Sequence, residues 1–181
     1  MTALSHRFAT EDDLPALHRL MDRAIAELQT GFLTPVQVAA SQHVMGLDSQ
    51  LVRDRTYILV EEGGTIAGCG GWSYRATLYG GDASVVAREP EVLDPRRDAA
   101  RIRAMYTDPA FARRGIGRMV LTLCEEAARA HGFGRVEMMA TLAGEPLYRA
   151  CGYLPLEHIE SRAIDGVTVP LIRMGKPLLP I

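Results

Sequence analysis

Apolar residues recur at helical spacing over Leu14, Leu17, Met21, Ala24, Ile25 and Leu28, the stripe of an amphipathic helix. Pro15 belongs in the first turn of that helix, which makes Asp12 or Asp13 a better N-cap than Thr10. His6 to Ala9, just before it, reads as a short strand, and Gly31 ends the helix. Thr34-Pro35-Val36-Gln37 is a capping box with proline at the first helical position; it predicts a second helix to about Val44, with a short helical piece near Gln50 to Asp54. Tyr57 to Glu61 is rich in β-formers, Glu62-Gly63-Gly64 is a turn, and Ile66 to Tyr74 pairs back as a hairpin. Residues 75–98 show no period, so this long segment is either functional or hides an element.

Ala100 to Thr107 is the next strand, and Ile116, Met119, Val120, Leu123, Cys124 and Ala127 mark a helix that ends at His131-Gly132. Arg135 to Thr141 follows as a strand. The strand–helix–strand order predicts that it lies parallel to Ala100–Thr107 by a right-handed crossover. A short helix from Gly144 to Cys151 stops at Gly152, and Leu154 to Glu160 with Val167 to Met174 closes the chain as a hairpin around Asp165-Gly166. The fold class is therefore α/β: a mixed, mainly antiparallel sheet with a central parallel βαβ unit and flanking helices. No repeat or linker divides the 181 residues, which are expected to form one domain.

Composition narrows the function. The hydrophobic fraction of 48% and charged fraction of 23% are ordinary for a globular protein and exclude a disordered or low-complexity chain. A formal charge of −2 argues against nucleic acid as a partner. No apolar run reaches the roughly 18 residues of a membrane span, and Met1 to Asp13 lacks a signal-peptide core, so neither membrane nor export is expected. Cys69, Cys124 and Cys151 are too few and odd in number for a disulfide framework, which points to the reducing cytoplasm. No histidine pairs with cysteine or carboxylate at a ligand spacing, so no metal site is expected.

The strongest chemical signal is Arg113-Arg114-Gly115-Ile116-Gly117-Arg118, between a strand and a helix. Glycines there let backbone approach a ligand, and the first helical turn offers unpaired N–H groups and a dipole that favours an anion. Arginines are the wrong charge for that helix end by about 0.3–1 kcal/mol each, unless an anion such as a pyrophosphate lies between them. A Walker loop is excluded because its lysine is missing; Lys176 is the chain's only lysine. A dinucleotide fingerprint lacks its third glycine, whose place Val120 holds, and Glu137, at the distance of a ribose carboxylate, falls in mid-strand.

Thr107-Asp108-Pro109-Ala110-Phe111-Ala112-Arg113-Arg114-Gly115-Ile116-Gly117-Arg118 resembles the acetyl-CoA loop of the GNAT acyltransferase superfamily. The helix Gly144–Cys151 followed by Gly152-Tyr153 resembles that superfamily's closing segment, and the order of elements is similar along nearly the whole chain. The family often has Arg or Gln where this chain has Ala112, and many members have a tight turn in place of residues 75–98. The resemblance implies a domain over residues 1–181 that uses acetyl-CoA as co-substrate and N-acetylates a primary amine of a small molecule or peptide by direct transfer; a homodimer is compatible with it. It implies that Arg113, Arg114, Gly115, Ile116, Gly117 and Arg118 hold the pyrophosphate. It also implies that the pantetheine arm enters a splay between the two parallel strands, where Met105, Tyr106, Thr107 and Thr141 offer backbone partners. The alternative of another class is an acyl-CoA-binding regulatory module without catalysis.

Amine acetylation needs an ammonium proton removed, at roughly 4–5 kcal/mol for an alkylamine at pH 7, and a thiolate stabilised as it leaves. Tyr148 matches the position of the family's general acid. The base stays open among Glu137, Glu61, Glu62, Glu27, His18 and a water relay, and Cys151, three residues after Tyr148, raises the alternative of an acylated cysteine. Phe32, Trp72 and Tyr74 are the candidates for the acceptor pocket. Strand alternation puts Arg103 on one face with Met105 and Thr107, where it would either hold an acceptor carboxylate or face solvent.

Overall fold

A computed structural model describes residues 3–179. In chain order the strands are β1 (Leu4–Phe8), β2 (Tyr57–Glu62), β3 (Thr65–Ser73), β4 (Ala100–Thr107), β5 (Arg135–Thr141), β6 (Leu154–Glu160) and β7 (Pro170–Pro177). The α-helices are α1 (Leu14–Leu28), α2 (Pro35–Ser41), α3 (Ser49–Arg53), α4 (Ile116–Ala130) and α5 (Glu145–Ala150). The strands form one sheet in the order β1-β2-β3-β4-β5-β7-β6. Every neighbouring pair is antiparallel except β4 and β5, the expected parallel unit, with α4 as its crossover.

Alternation along β2 divides the core between the two faces. Ile58 and Val60 point toward α4, where Ile116, Val120, Leu121, Cys124 and Ala128 pack with Trp72, Ile102, Val136 and Met138. Tyr57 and Leu59 point the other way, against Leu17, Leu20 and Met21 of α1 and Leu51 and Val52 of α3. Full burial of each large aliphatic side chain contributes about 1.5–3 kcal/mol, which fixes both helices on the sheet. Glycines in β3 bring α4 unusually near. A Cβ at Gly70 would lie 2.7 Å from Val120 Cγ1, and one at Gly68 would overlap the Ile116 side chain.

Several boundaries differ from expectation for local reasons. The first strand runs Leu4–Phe8 rather than 6–9, because its ladder with β2 begins at Leu4↔Glu62. Asp13 does precede α1, but its carboxylate turns back to the Thr10 N–H at 2.8 Å and to Arg7, so it caps the preceding 3-10 turn instead. The α2 helix ends at Ser41, where the chain breaks into turns toward Gly46. Strand β7 begins at Pro170, since Val167 makes only an isolated bridge to Ile164, and it continues to Pro177 because β5 pairs with it from Thr141 back to Arg135. Residues 75–98 hold no helix or strand. Arg75 on Asp54 at 2.7 Å and Arg88 on Asp48 at 3.1 Å tie them to the residues just after and just before α3. Among the described residues no helix is long and apolar enough to cross a membrane.

Candidate active site

The β4–β5 ladder is short. It pairs Ala100, Ile102 and the residue between them with Val136–Met138, then stops, although β4 continues to Thr107 and β5 to Thr141. Each strand keeps its other neighbour, β3 or β7, so the edges that diverge face one another without a ladder. A bulge causes the departure. Cys69 pairs with Tyr106 and Gly71 with Arg103, so one residue of β3 faces two of β4, and Ala104 takes φ +49°. That conformation costs a non-glycine residue on the order of 1–3 kcal/mol. The Tyr57 hydroxyl holds it, donating to the Ala104 carbonyl at 2.7 Å.

The bulge also overturns the expected alternation. Ala100 and Ile102 face α4; past Ala104 the phase shifts, and Met105 joins them there. Arg103 is left on the opposite side from Met105 and Thr107. It is 4% exposed, and its guanidinium donates to Asp48 at 2.8 Å and to the carbonyls of Thr77 and Gly80. It is therefore neither a surface residue nor a free cation.

A cleft of about 810 Å³ opens from this splay. At one end is the loop before α4. Asp108 caps the turn Pro109–Phe111 through the Ala110 N–H at 2.9 Å and pairs with Arg23 of α1, which anchors the loop. Arg113 at φ +63° and Gly115 at φ +83° then reverse the chain into α4. The helix starts without a side-chain cap or an acidic residue in its first turn, so its first N–H groups have no side-chain acceptor. A Cβ on Gly115 would meet no atom within 4 Å, which leaves an open cradle at that terminus. Arg113, Gly115, Ile116, Gly117 and Arg118 line the cleft, together with Met105, Tyr106, Thr107 and Thr141. Arg114 does not. It pairs with Glu62 at 2.7 Å and lies over the Phe111 ring, so the expected arginine cluster is divided.

Helix α5 forms the adjoining wall. A Cβ on Gly117 would lie 2.8 Å from Leu147, and one on Gly144 only 2.7 Å from Tyr148 Cε2. The absence of both side chains lets α5 dock on α4 and lets the Tyr148 ring fold back over its own N-terminus. Tyr148 is 8% exposed and lines the cleft, and no described residue hydrogen-bonds its hydroxyl. Burial pushes its phenol well above the ordinary value, so it stays a protonated donor.

The other end is built from Ile25, Leu28, Gln29 and Phe32 near the end of α1, Met45 and Tyr79 from loops, and Met139 from β5. Phe32 is half exposed there. Trp72 and Tyr74 are not brought to the cleft. Trp72 is 1% exposed and stacks between His131 and Phe133 under α4, with Tyr74 at its edge. None of the candidate bases lines the cleft either. Glu137 is held by Arg101 at 3.0 Å and Arg173 at 2.7 Å, Glu61 pairs with Arg7 and Glu62 with Arg114, while Glu27 and His18 are exposed elsewhere. Cys151 lies outside the lining, and burial pushes its thiol up, away from the thiolate form. Among the described residues no group of three or more His, Cys, Asp or Glu could hold a metal.

Sequence reasoning missed Gln29, Tyr79 and Gly144. A signal for Gln29 was present: it continues the buried series Met21, Ile25 at the next helical step, a polar residue on an apolar stripe.

The sequence model described as "Acetyltransferase (GNAT) family" matches residues 19–153. No curated protein matches significantly. Solved structures similar in fold include a GCN5-related N-acetyltransferase from Rhodopseudomonas palustris, 16% identical over 98% of each chain with a TM-score of 0.71. The ribosomal-protein-S18-alanine N-acetyltransferase from Escherichia coli is 16% identical, covering 99% of this chain and 96% of its own, with a TM-score of 0.60. The acetyltransferase yncA from Salmonella typhimurium, solved with acetyl-CoA, is 18% identical over 97% of this chain and 94% of its own, with a TM-score of 0.63.

Proposed function

The chain belongs to the GNAT acetyltransferase family, and on that premise we propose that it moves an acetyl group from acetyl-CoA directly to a primary amine of a small molecule or peptide. The observation that carries the reading is the continuity of one cleft from the α4 cradle, through the β4–β5 splay, to the Tyr148 hydroxyl. The whole chain would act as one acyl-CoA N-acyltransferase domain in the cytoplasm, with a small amine rather than nucleic acid or membrane as its partner.

When bound, acetyl-CoA supplies the activated acetyl thioester. The residues present suit it. The uncapped N–H groups of α4, with Arg113 and Arg118, are complementary to a pyrophosphate, and the open space at Gly115 admits it closely. The diverging edges of Met105–Thr107 and Met139–Thr141 offer main-chain donors and acceptors to the amides of an extended arm. Tyr148, kept protonated by burial, donates a hydrogen bond to the sulfur as negative charge grows there. Apolar walls around Met138, Leu147 and Ile116 keep bulk water from the reacting carbon. The amine nitrogen forms the C–N bond as the C–S bond breaks, and the proton it sheds leaves through water.

One observation favours the second reading, an acyl-CoA-binding regulatory module: no carboxylate or imidazole is among the described residues that line the cleft. A thiol-release assay with acetyl-CoA over amines, amino acids, aminoglycosides and peptides separates the two. Amine-dependent thiol release supports transfer; acetyl-CoA binding with no release across the panel supports the module.

A further inference from the structure

Residues 74–93 form a loop with a closed base: the Leu93, Ala76 and Thr77 N–H groups donate to the carbonyls of Tyr74, Glu91 and Glu89 at 2.8, 2.9 and 2.9 Å. Past that base Leu78, Tyr79 and Gly80 become part of the cleft wall, which Met45 and Gly46 continue from the turns after α2. The two segments bear directly on each other. Asp82 donates its N–H to the Leu47 carbonyl at 2.8 Å, and a Cβ on Gly81 would lie 2.6 Å from the same oxygen. Strand β4 holds both. Arg103 donates from Nη1 to the Thr77 carbonyl at 3.0 Å, and from Nη2 to the Gly80 carbonyl at 2.7 Å and to Asp48 at 2.8 Å. The Tyr106 hydroxyl accepts the Gly46 N–H at 2.9 Å.

We propose that Arg103 is the positioning residue of the acceptor end: by holding the Thr77 and Gly80 carbonyls it fixes the Leu78–Gly80 wall against β4, and so sets where an amine stands relative to the thioester. The inference rests on the acetyl-transfer reading above. The bulge at Ala104 gives it a geometric basis. It turns Arg103 toward these loops, and it begins the stretch Met105–Thr107 whose main chain borders the splay. One short piece of β4 therefore carries the acceptor wall on its side chains and the edge for the pantetheine arm on its backbone.

A buried ion pair is weak support for stability, because desolvation offsets much of the attraction. Placement is what the guanidinium adds: a rigid planar fork whose donors reach three acceptors at once, two of them main-chain oxygens of the wall. Asp48 does not depend on it. That carboxylate also accepts the Gln50 N–H at 3.0 Å and pairs with Arg88 at 3.1 Å. Loss of the Arg103 head thus leaves Asp48 partnered and frees the wall. A misplacement of about 1 Å between reacting groups can cost on the order of 10²-fold in rate. The defect should fall on the amine and spare acetyl-CoA, whose pyrophosphate belongs to the α4 cradle.

The test compares the full chain with Arg103→Met, Arg103→Lys and Arg88→Ala, using phenethylamine, spermidine, leucine, kanamycin and the dipeptide alanyl-leucine as amines. Thiol release gives kcat and KM, calorimetry gives acetyl-CoA affinity, and hydrogen exchange follows residues 77–82. Arg103→Met should raise KM tenfold or more for the amine the wild type uses best, with acetyl-CoA affinity within twofold. Exchange should quicken in residues 77–82 and stay unchanged in α4 and β5. Arg103→Lys keeps a cation beside Asp48 without the fork and should recover part of the loss. Arg88 is exposed and bridges Asp48 and Asp82. Arg88→Ala loosens the same loop from outside and should raise KM about threefold, which decides the matter if Arg103→Met fails to fold. Unchanged amine KM, whether or not exchange quickens, or an equal loss of acetyl-CoA affinity, would overturn the positioning role and leave acetyl transfer standing. No thiol release by the wild type with any of the five amines, acetyl-CoA still binding, would overturn transfer and this role with it.

Discussion

At the loop end of the cleft the polar groups on offer come from one short run, Arg113–Arg118: main-chain N–H groups whose direction is set by two positive φ values and the start of a helix, with the Arg113 and Arg118 side chains beside them. At the α1 end the lining is made of side chains, Ile25, Phe32, Tyr79 and Met139, assembled from segments far apart in sequence. Main-chain groups do not change when residues are substituted, provided the backbone path is kept. Side chains do. The loop end is thus suited to a ligand that never varies, and the α1 end to one that differs from one protein of this fold to another. The arginines show the distinction in miniature: Arg113 lines the cleft while its neighbour Arg114 is spent on Glu62.

The sharpest way to break this division is at Tyr148, between the two ends. Tyr148→Phe keeps the ring packed on Gly144 and removes only the hydroxyl. It should fold and bind acetyl-CoA as the wild type does, while kcat falls by roughly 10²–10⁴ with kcat/KM falling in parallel. Because burial raises the phenol's pKa, the wild type should show no alkaline loss of rate from this group below about pH 10, the ordinary phenol value. Full kcat in the variant, measured by steady-state kinetics, would remove Tyr148 from the reaction.

Trp72 lies outside the cleft, in the core under α4. Packed between His131 and Phe133, it should cost about 3–5 kcal/mol of stability as Trp72→Ala, read by denaturant unfolding. A change in acceptor KM without loss of stability would return it to the site. At the loop end, Gly115→Ala places a side chain at φ +83°, where an L-residue is disfavoured by roughly 1–2 kcal/mol. Acetyl-CoA affinity should drop about tenfold in calorimetry if the loop relaxes to relieve that strain, and amine selectivity should stay as it was. The smallest effects separate the arginines. Arg113→Ala should weaken acetyl-CoA by about 0.3–1 kcal/mol and flatten its salt dependence, whereas Arg114→Ala should leave both nearly unchanged. Equal losses would put Arg114 back on the ligand.

The same contrast governs what could be read from the chain. The loop, α1, β4 and β5 are legible because their signals are local: a glycine–arginine run, a helical stripe, short β-rich stretches bounded by turns. The bulge is not, because Ala104 is no glycine and its φ is held by the hydroxyl of Tyr57, 47 residues away along the chain. That single offset carried Arg103 to the wrong face in the sequence reading. Trp72 misled for a related reason: an aromatic at a strand end looks the same whether a helix or a cavity covers it, and only the packing of His131 and Phe133 decides.

The glycines of β3 have a consequence for anyone who would recombine this chain with another of its fold. With Gly70 flush against Val120 and Gly68 against Ile116, strand and helix are matched as lock and key at single-atom tolerance. The loop 75–98 is held on the outside of this pair by arginine tethers and by main-chain bonds to residues 43–47, and it makes no such interlock with α4. Strand β3 cannot be exchanged without α4. A donor strand carrying alanine at either position would lift the helix and tilt the nucleotide cradle away from the splay, so grafts should be cut before Thr65 and after Ala130, and inherited as one cassette.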